Sequence, residues 1–123
     1  MAAPNIVNVT TIAGKTAMIR LTNSTATQVL ANSAASNKVL KLAGVLATNT
    51  EGVSVNVAFN LYITRSSVDY YLARNVTIPA LASYEAFVKD GTPIYLEEGD
   101  TLMAKSENAS GHIHVMVAYE EIS

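Results

Sequence analysis

The sequence predicts an all-β protein, a single antiparallel β-sandwich of the jelly-roll or immunoglobulin-like kind with an extended N-terminal arm. Three observations predict it: apolar and polar residues alternate strictly in two segments, turn residues separate short apolar runs, and no long helical pattern occurs. The chain has 123 residues, 50% of them hydrophobic, which suits one domain with a core. We expect residues 1–15 to form the arm and residues 16–123 to form the sandwich.

Two segments carry the clearest strand pattern. In residues 53–63 the large apolar side chains fall on one face, and that face holds Val53, Val55, Val57, Phe59, Leu61 and Ile63. The other face of this segment holds Ser54, Asn56, Ala58, Asn60 and Tyr62. The last segment places Ile113, Val115, Val117 and Tyr119 inside, with His112, His114, Met116 and Glu120 outside. A period of two residues is that of a half-buried strand, whereas a helix would scatter these side chains.

Shorter strands complete the predicted sandwich. They are expected at residues 16–22, 39–48, 70–73, 75–78, 83–89 and 102–107. Glycine-containing turns that tolerate positive φ punctuate the chain at Glu51-Gly52, Asp90-Gly91, Glu98-Gly99-Asp100 and Ser110-Gly111. The alanine-rich segment 25–35 is interpreted as a strand followed by a loop, since its Thr, Val and Asn residues are poor helix formers. Short strands without βαβ alternation favour the antiparallel sandwich.

Composition excludes several classes of function. Eight basic and ten acidic side chains give a net charge of -2, which argues against binding to a nucleic-acid backbone. The absence of cysteine excludes disulfides, thiolate metal sites and a cysteine nucleophile. Residues 1–5 lack the pattern of a signal peptide, and the apolar stretches are too short to span a bilayer as helices, so we expect no membrane association.

One histidine pair is the best candidate for chemistry. His112 and His114 are expected on one strand face, about 7 Å apart by strand rise. With Glu120 they could bind a metal in a jelly-roll enzyme. However, Glu120 lies three strand steps further on, and the chain has only two histidines, whereas a catalytic metal takes three protein ligands. We therefore predict that the protein is not an enzyme and has no catalytic residue, cofactor or metal.

Two other clusters have simpler interpretations. Glu97, Glu98 and Asp100 lack the ligand spacing of a calcium loop, so we interpret them as a charged turn that keeps the loop soluble. Tyr62, Tyr71 and Arg74 could form a sugar-binding platform, since aromatic rings supported by a cation stack on planar ligands. With no tryptophan in the chain, tyrosines of a core or a protein interface are the favoured interpretation.

A family resemblance adds to this interpretation. Residues 70–102, which include the run Ile-Tyr-Leu-Glu-Glu-Gly-Asp, and residues 111–123, with a Tyr-Glu-Glu ending, carry it; residues 5–16 also fit. Together these stretches resemble small virion structural proteins of tailed bacteriophages, especially marine myovirus-like and cyanophage-like ones. The resemblance covers most of the chain, but its motifs are strands and turns, so it implies no catalytic residue.

The resemblance implies a non-enzymatic virion protein, assembled in the host cytoplasm, most simply a capsid decoration or cement protein that binds the major capsid protein at the capsid surface. A component of the neck, tail or fibres, or a carbohydrate-binding module on a phage appendage, is the alternative. The expected partners are other virion proteins and further copies of the chain, with no nucleic acid and no membrane. Interaction residues are predicted in the arm, which could add a strand to a neighbour's sheet, and at two tyrosines: Asn5, Ile6, Val7, Asn8, Val9, Thr10, Thr11, Tyr62 and Tyr70.

Overall fold

The computed structural model describes residues 11–51, 55–86 and 94–123. Strands occupy most of these ranges: β1 (Ile12–Leu21), β2 (Thr27–Ala31), β3 (Val39–Asn49), β4 (Val57–Arg65), β5 (Val68–Ile78), β6 (Ser83–Glu85), β7 (Ile94–Leu96), β8 (Thr101–Ser106) and β9 (Ile113–Ile122). None of the described residues belongs to a helix of the length and apolarity that a membrane span requires.

The strands form two antiparallel sheets that pack face to face. The first sheet has the order β1-β9-β3-β6, with β7 also paired to β3, and the second has the order β2-β8-β4-β5. Large apolar side chains from both sheets, such as Phe59 and Leu61 of β4 and Val115 and Val117 of β9, are fully buried between them. The predicted all-β sandwich is confirmed.

The pairing order distinguishes the two kinds of sandwich that the sequence left open. β4 pairs with β5, β3 with β6 and β7, β2 with β8, and β1 with β9. These nested pairs are those of one long hairpin that has been rolled up, so that β1 and β3 fall in one sheet and β2 and β4 in the other. This is jelly-roll topology, with β6 and β7 sharing one strand position beside β3.

Several elements differ from the sequence prediction. β5 is one continuous strand rather than two, because two register shifts, one on each side of Leu61, absorb the irregularity that separates residues 70–73 from 75–78. β7 was not predicted, since three residues are too short to show alternation. The predicted strand 83–89 is observed as β6, and residues 87–93 lie outside the described residues. The segment 25–35 holds β2 followed by a loop, as predicted.

β1 begins within the segment 1–15 that we predicted as the arm. β1 begins at Ile12, which pairs with Ile122 of β9, so residues 12–15 belong to the sheet and not to an arm. Their alternation is weak because β1 is an edge strand with one neighbour in its sheet. Asn5, Ile6, Val7, Asn8, Val9 and Thr10 lie outside the described residues. Thr11 is described, and it exchanges two backbone hydrogen bonds with Ser123, of 3.0 and 2.9 Å.

Glu121 ties the ends of three strands together and predicts a pH dependence. Its carboxylate accepts a hydrogen bond from Lys15 Nζ at 3.1 Å and lies 3.4 Å from Lys38 Nζ. The hydrogen bond from Lys15, and next the charges of both lysines, hold the pKa of Glu121 below its ordinary value of 4.5 despite partial desolvation. The carboxylate therefore stabilises the fold above that pH, and the contribution is lost as the pH falls through the lowered value.

We expect Glu121→Gln to lower the free energy of unfolding by about 0.5–1 kcal/mol at pH 7, and by less at pH 3. Urea unfolding of both proteins at the two pH values measures this. An equal difference in the free energy of unfolding at both pH values would show that the carboxylate charge of Glu121 does not contribute to stability.

Candidate interaction surface

An apolar row crosses the outer face of the first sheet. Met18 of β1 lies directly opposite Met116 of β9, which lies opposite Leu46 of β3. These side chains are 72%, 45% and 38% exposed. Opposite residues of an antiparallel sheet share one face with about 5 Å between their Cβ atoms, so the row is continuous. Its last position, opposite Leu46, is Glu85 of β6. We call Met18, Met116, Leu46 and Glu85 the row surface.

The alternation of β1 and β9 explains why these residues point outward. Val115 and Val117 point into the core and are fully buried, which places Met116 between them on the opposite face. Beside the row lies a shallow groove of about 460 Å³, floored by the small residues Gly44 and Ala118. A Cβ atom at Gly44 would meet no atom within 4 Å, so the groove is open. This contiguous apolar surface makes the row a candidate site of protein contact.

Polar residues lie on both sides of the row. The neighbouring row on one side runs Arg20–His114–Thr48 across the same strands. On the other side, beyond Thr16, Ala118 and Gly44, Lys41 Nζ lies 3.8 Å from Glu120 Oε1. Within residues 11–51, 55–86 and 94–123, neither Arg20 nor Glu85 makes an ion pair or side-chain hydrogen bond. An apolar centre with a polar border is the usual anatomy of a protein interface.

Further exposed large side chains lie on β5, the edge strand of the other sheet. Val68, Tyr70 and Tyr71 of β5 are all well exposed. The Arg74 guanidinium carbon lies 4.8 Å from the centroid of the Tyr71 ring, a cation–π contact. Arg74 has no carboxylate partner in the described part of the chain. Val68 and Tyr70 pair with Arg65 and Ile63 on one face of β5, whereas Tyr71 pairs with Tyr62 on the opposite face.

Tyr62 does not have the exposure that we predicted for it. The alternation correctly placed it on the outer face of β4, but it is only 9% exposed because Tyr71 of β5 and Met103 of β8 flank it on either side. Its ring centroid lies 5.0 Å from that of Tyr71. Burial, and next the charge of Asp69, raises the pKa of its hydroxyl. The predicted exposure of Tyr62 is therefore wrong, whereas Tyr70 is exposed as predicted.

The residues of the alternative sugar platform do come together. Tyr62, Tyr71 and Arg74 form one cluster on the outer face of the second sheet. Tyr62 is its buried support, and Arg74 already lies over the Tyr71 ring, so the ring area left for stacking on a sugar is small.

Glu120 is not brought near the two histidines of the alternative metal site. His112 precedes β9 with a positive φ of 63°, and its Nε2 lies 3.3 Å from Glu51 Oε2. His112 and His114 line one open depression of about 370 Å³. Glu120 lies at the other end of β9, about 20 Å from His114 by strand rise, and pairs with Lys41. No group of three His, Asp or Glu side chains suited to a metal ion occurs among the described residues.

The acidic turn after β7 contains a buried carboxylate that is fully hydrogen-bonded. Asp100 is 2% exposed and accepts hydrogen bonds from Arg65 Nε at 2.8 Å, from Arg65 Nη2 at 2.5 Å, and from the backbone N–H of Glu97 at 2.9 Å. The hydrogen bond to Asp100 raises the pKa of Arg65. Asp100 is thus a buried anchor and not part of a solvated turn, because an arginine from the β4–β5 hairpin reaches across to it.

Comparison with known proteins found no family model and no curated protein that matches this chain. Solved structures are similar to it, and two of them are described as a pentameric capsid protein isolated from metagenomic phage sequences. Their TM-scores are 0.41 and 0.39, with 17% and 15% sequence identity. Each match covers 98% of this chain but only 65% and 64% of the other protein, so the chain spans less than two thirds of their length. The jelly-roll assignment rests on the pairing of its own strands.

Proposed function

We propose that this chain is a non-enzymatic structural protein of a bacteriophage virion, and that it is a capsid decoration or cement protein bound to the major capsid protein. The observation that carries the proposal is the exposed apolar row of Met18, Met116 and Leu46 with its polar border. A protein that acts alone in water has no need of such a row, whereas a subunit of an assembly buries it. The sequence resemblance to virion structural proteins supports the particle as the place of assembly.

We assign the contact with the major capsid protein to residues 5–11. The first charged side chain of the sequence is Lys15, so this segment is uncharged and rich in Val, Ile and Thr. An uncharged segment with high β propensity is suited to adding a strand to the sheet edge of another protein. Thr11 anchors this segment, because its two backbone hydrogen bonds to Ser123 hold the last residue of the segment at one end of the first sheet.

The decoration role is tested by immunogold electron microscopy of phage particles with antibody against the purified protein. We expect gold over the heads. Gold confined to the neck, tail or fibres would overturn the decoration role and favour the adaptor or sugar-binding alternatives. No gold on intact or opened particles would contradict a virion role altogether.

The contact assigned to the N-terminal segment has its own test. Particles that lack the protein are mixed with the full chain or with a variant that lacks residues 1–10, and bound protein is measured after sedimentation. We expect the shortened variant to lose binding while keeping the melting temperature of the full chain, because β1 begins only at Ile12. Equal binding of both proteins would refute this assignment.

A further inference from the structure

We propose that the depression between the end of β1 and the start of β9 binds an oxyanion, a phosphate or carboxylate group, between Arg20 and the two histidines. This inference goes beyond the virion role and does not depend on it. Three features support it: the hydrogen-bond donors that line the depression, the absence of a carboxylate among its described lining residues, and the hydrogen-bonded loop that holds His112.

The lining of the depression is made of hydrogen-bond donors. Its volume is about 370 Å³, and apart from the buried Leu21 its described lining residues are Arg20, Thr22, Thr50, Ser110, His112 and His114. Guanidinium, imidazole and hydroxyl groups all donate hydrogen bonds. Bonds from charged donors to an anionic oxygen are about twice as strong as those between neutral groups. The depression is therefore suited to an anion and not to an apolar ligand.

Arg20 and His114 form the centre of this cationic cluster. They lie directly opposite each other on β1 and β9, next to the row surface on the outer face of the first sheet. Opposite residues have their Cβ atoms about 5 Å apart, and like charges at such positions repel. Neither side chain makes an ion pair or a hydrogen bond with a described residue. An anion that bridges the two would remove the repulsion between Arg20 and a protonated His114.

The loop before β9 holds His112 in a fixed position beside this pair. The φ of His112 is 63°, an uncommon value for a residue other than glycine. Its N–H donates to the Ser110 carbonyl at 3.0 Å, and its carbonyl accepts from the N–H and the hydroxyl of Thr50 at 2.8 and 3.0 Å. Gly111 packs against the Leu21 carbonyl, which brings the loop to the end of β1. A site that is fixed in advance loses little freedom on binding.

The carboxylate of Glu51 orients His112 without filling the depression. Its Oε2 lies 3.3 Å from His112 Nε2, but Glu51 is not among the described residues that line the depression. Both nitrogens of a protonated imidazole donate hydrogen bonds. No described residue bonds to His112 Nδ1, so this nitrogen is available to a ligand.

Anion titration of the purified full chain tests the site at pH 6, where an ordinary imidazole is mostly protonated. Phosphate and acetate are added in separate series at constant ionic strength. NMR follows the imidazole signals of His112 and His114 and the side-chain N–H signal of Arg20. We expect saturable shifts in the millimolar range with at least one of the two anions. Saturation by phosphate alone identifies a phosphate group as the ligand, and saturation by acetate alone identifies a carboxylate.

Two variants and a matched control locate the binding. Arg20→Gln and His114→Gln should each weaken binding by at least about fivefold, because each removes a charged donor. Arg74→Gln should bind like the wild type. Arg74 is also an exposed arginine without a carboxylate partner in the described part of the chain, but it lies on β5 of the second sheet, over the Tyr71 ring.

Three results would overturn the inference. The first is a shift that stays linear with both anions, since a site must saturate. The second is equal affinity of the wild type and Arg20→Gln. The third is a loss in Arg74→Gln as large as that in Arg20→Gln, which would indicate general attraction of anions to positive charge. Melting curves confirm that each variant is folded.

Discussion

Replacing Gly111 with Ala lowers the free energy of unfolding by more than about 2 kcal/mol, an unusually large effect for one added methyl group. Gly111 has a φ of 78°, which favours glycine, and an added Cβ would lie 2.0 Å from the carbonyl oxygen of Leu21. That oxygen belongs to the backbone of β1 and cannot move aside like the end of a flexible side chain. The loop before β9 would have to separate from the end of β1.

Gly99→Ala is the matched control for Gly111→Ala. Gly99 also has a positive φ, of 91°, but an added Cβ would meet no atom within 4 Å. The control therefore carries only the backbone cost, about 1–2 kcal/mol. Urea unfolding of both variants separates the two contributions. Equal losses in the two variants would show that the close approach of Gly111 to Leu21 has no energetic consequence.

Removing the Asp100 carboxylate is the second change with a large expected effect. Asp100→Ala leaves the N–H of Glu97 and the guanidinium of Arg65 without their shared acceptor in a buried position. Breaking a fully buried charge pair costs about 3–5 kcal/mol. The Arg65 side chain is 46% exposed and regains water, so we expect a loss of about 2 kcal/mol.

The exposed member of the same cluster provides the comparison for Asp100→Ala. Glu97 lies 3.2 Å from Arg65 Nη2, but its side chain is 62% exposed. Glu97→Gln should change the free energy of unfolding by less than about 0.5 kcal/mol. Thermal unfolding of both variants tests the contrast. If Asp100→Ala were as mild as Glu97→Gln, the buried carboxylate would not be the anchor of the turn after β7.

The strands that the sequence predicted best are those in which one face is buried and the other is polar. β9 is the clearest case: Ile113, Val115 and Val117 are fully buried, whereas Met116 between them is exposed. The alternation alone carries this information, because a period of two residues identifies both the strand and its inner face. Gly99 and Gly111 likewise adopt the positive φ that their turns required.

The features that the sequence did not reveal depend on contacts between distant strands. Met116 was placed on the outer face of β9, but its alignment with Met18 and Leu46 depends on the registers of β1 and β3. The burial of Tyr62 comes from strands on both sides of it. Asp100 is buried by an arginine 35 residues away in the chain. Local periodicity reports which face a side chain takes, and not what covers that face.

Methionine oxidation tests most directly whether the outer face of the first sheet is an assembly surface. Dilute peroxide is applied to the assembled protein and to a dilute, dissociated sample, and peptide mass spectrometry follows Met18, Met116 and Met103. We predict that assembly slows the oxidation of Met18 and Met116 and leaves Met103, on the outer face of the second sheet, unchanged. Oxidation of Met18 at the same rate in both samples would contradict the burial of this face.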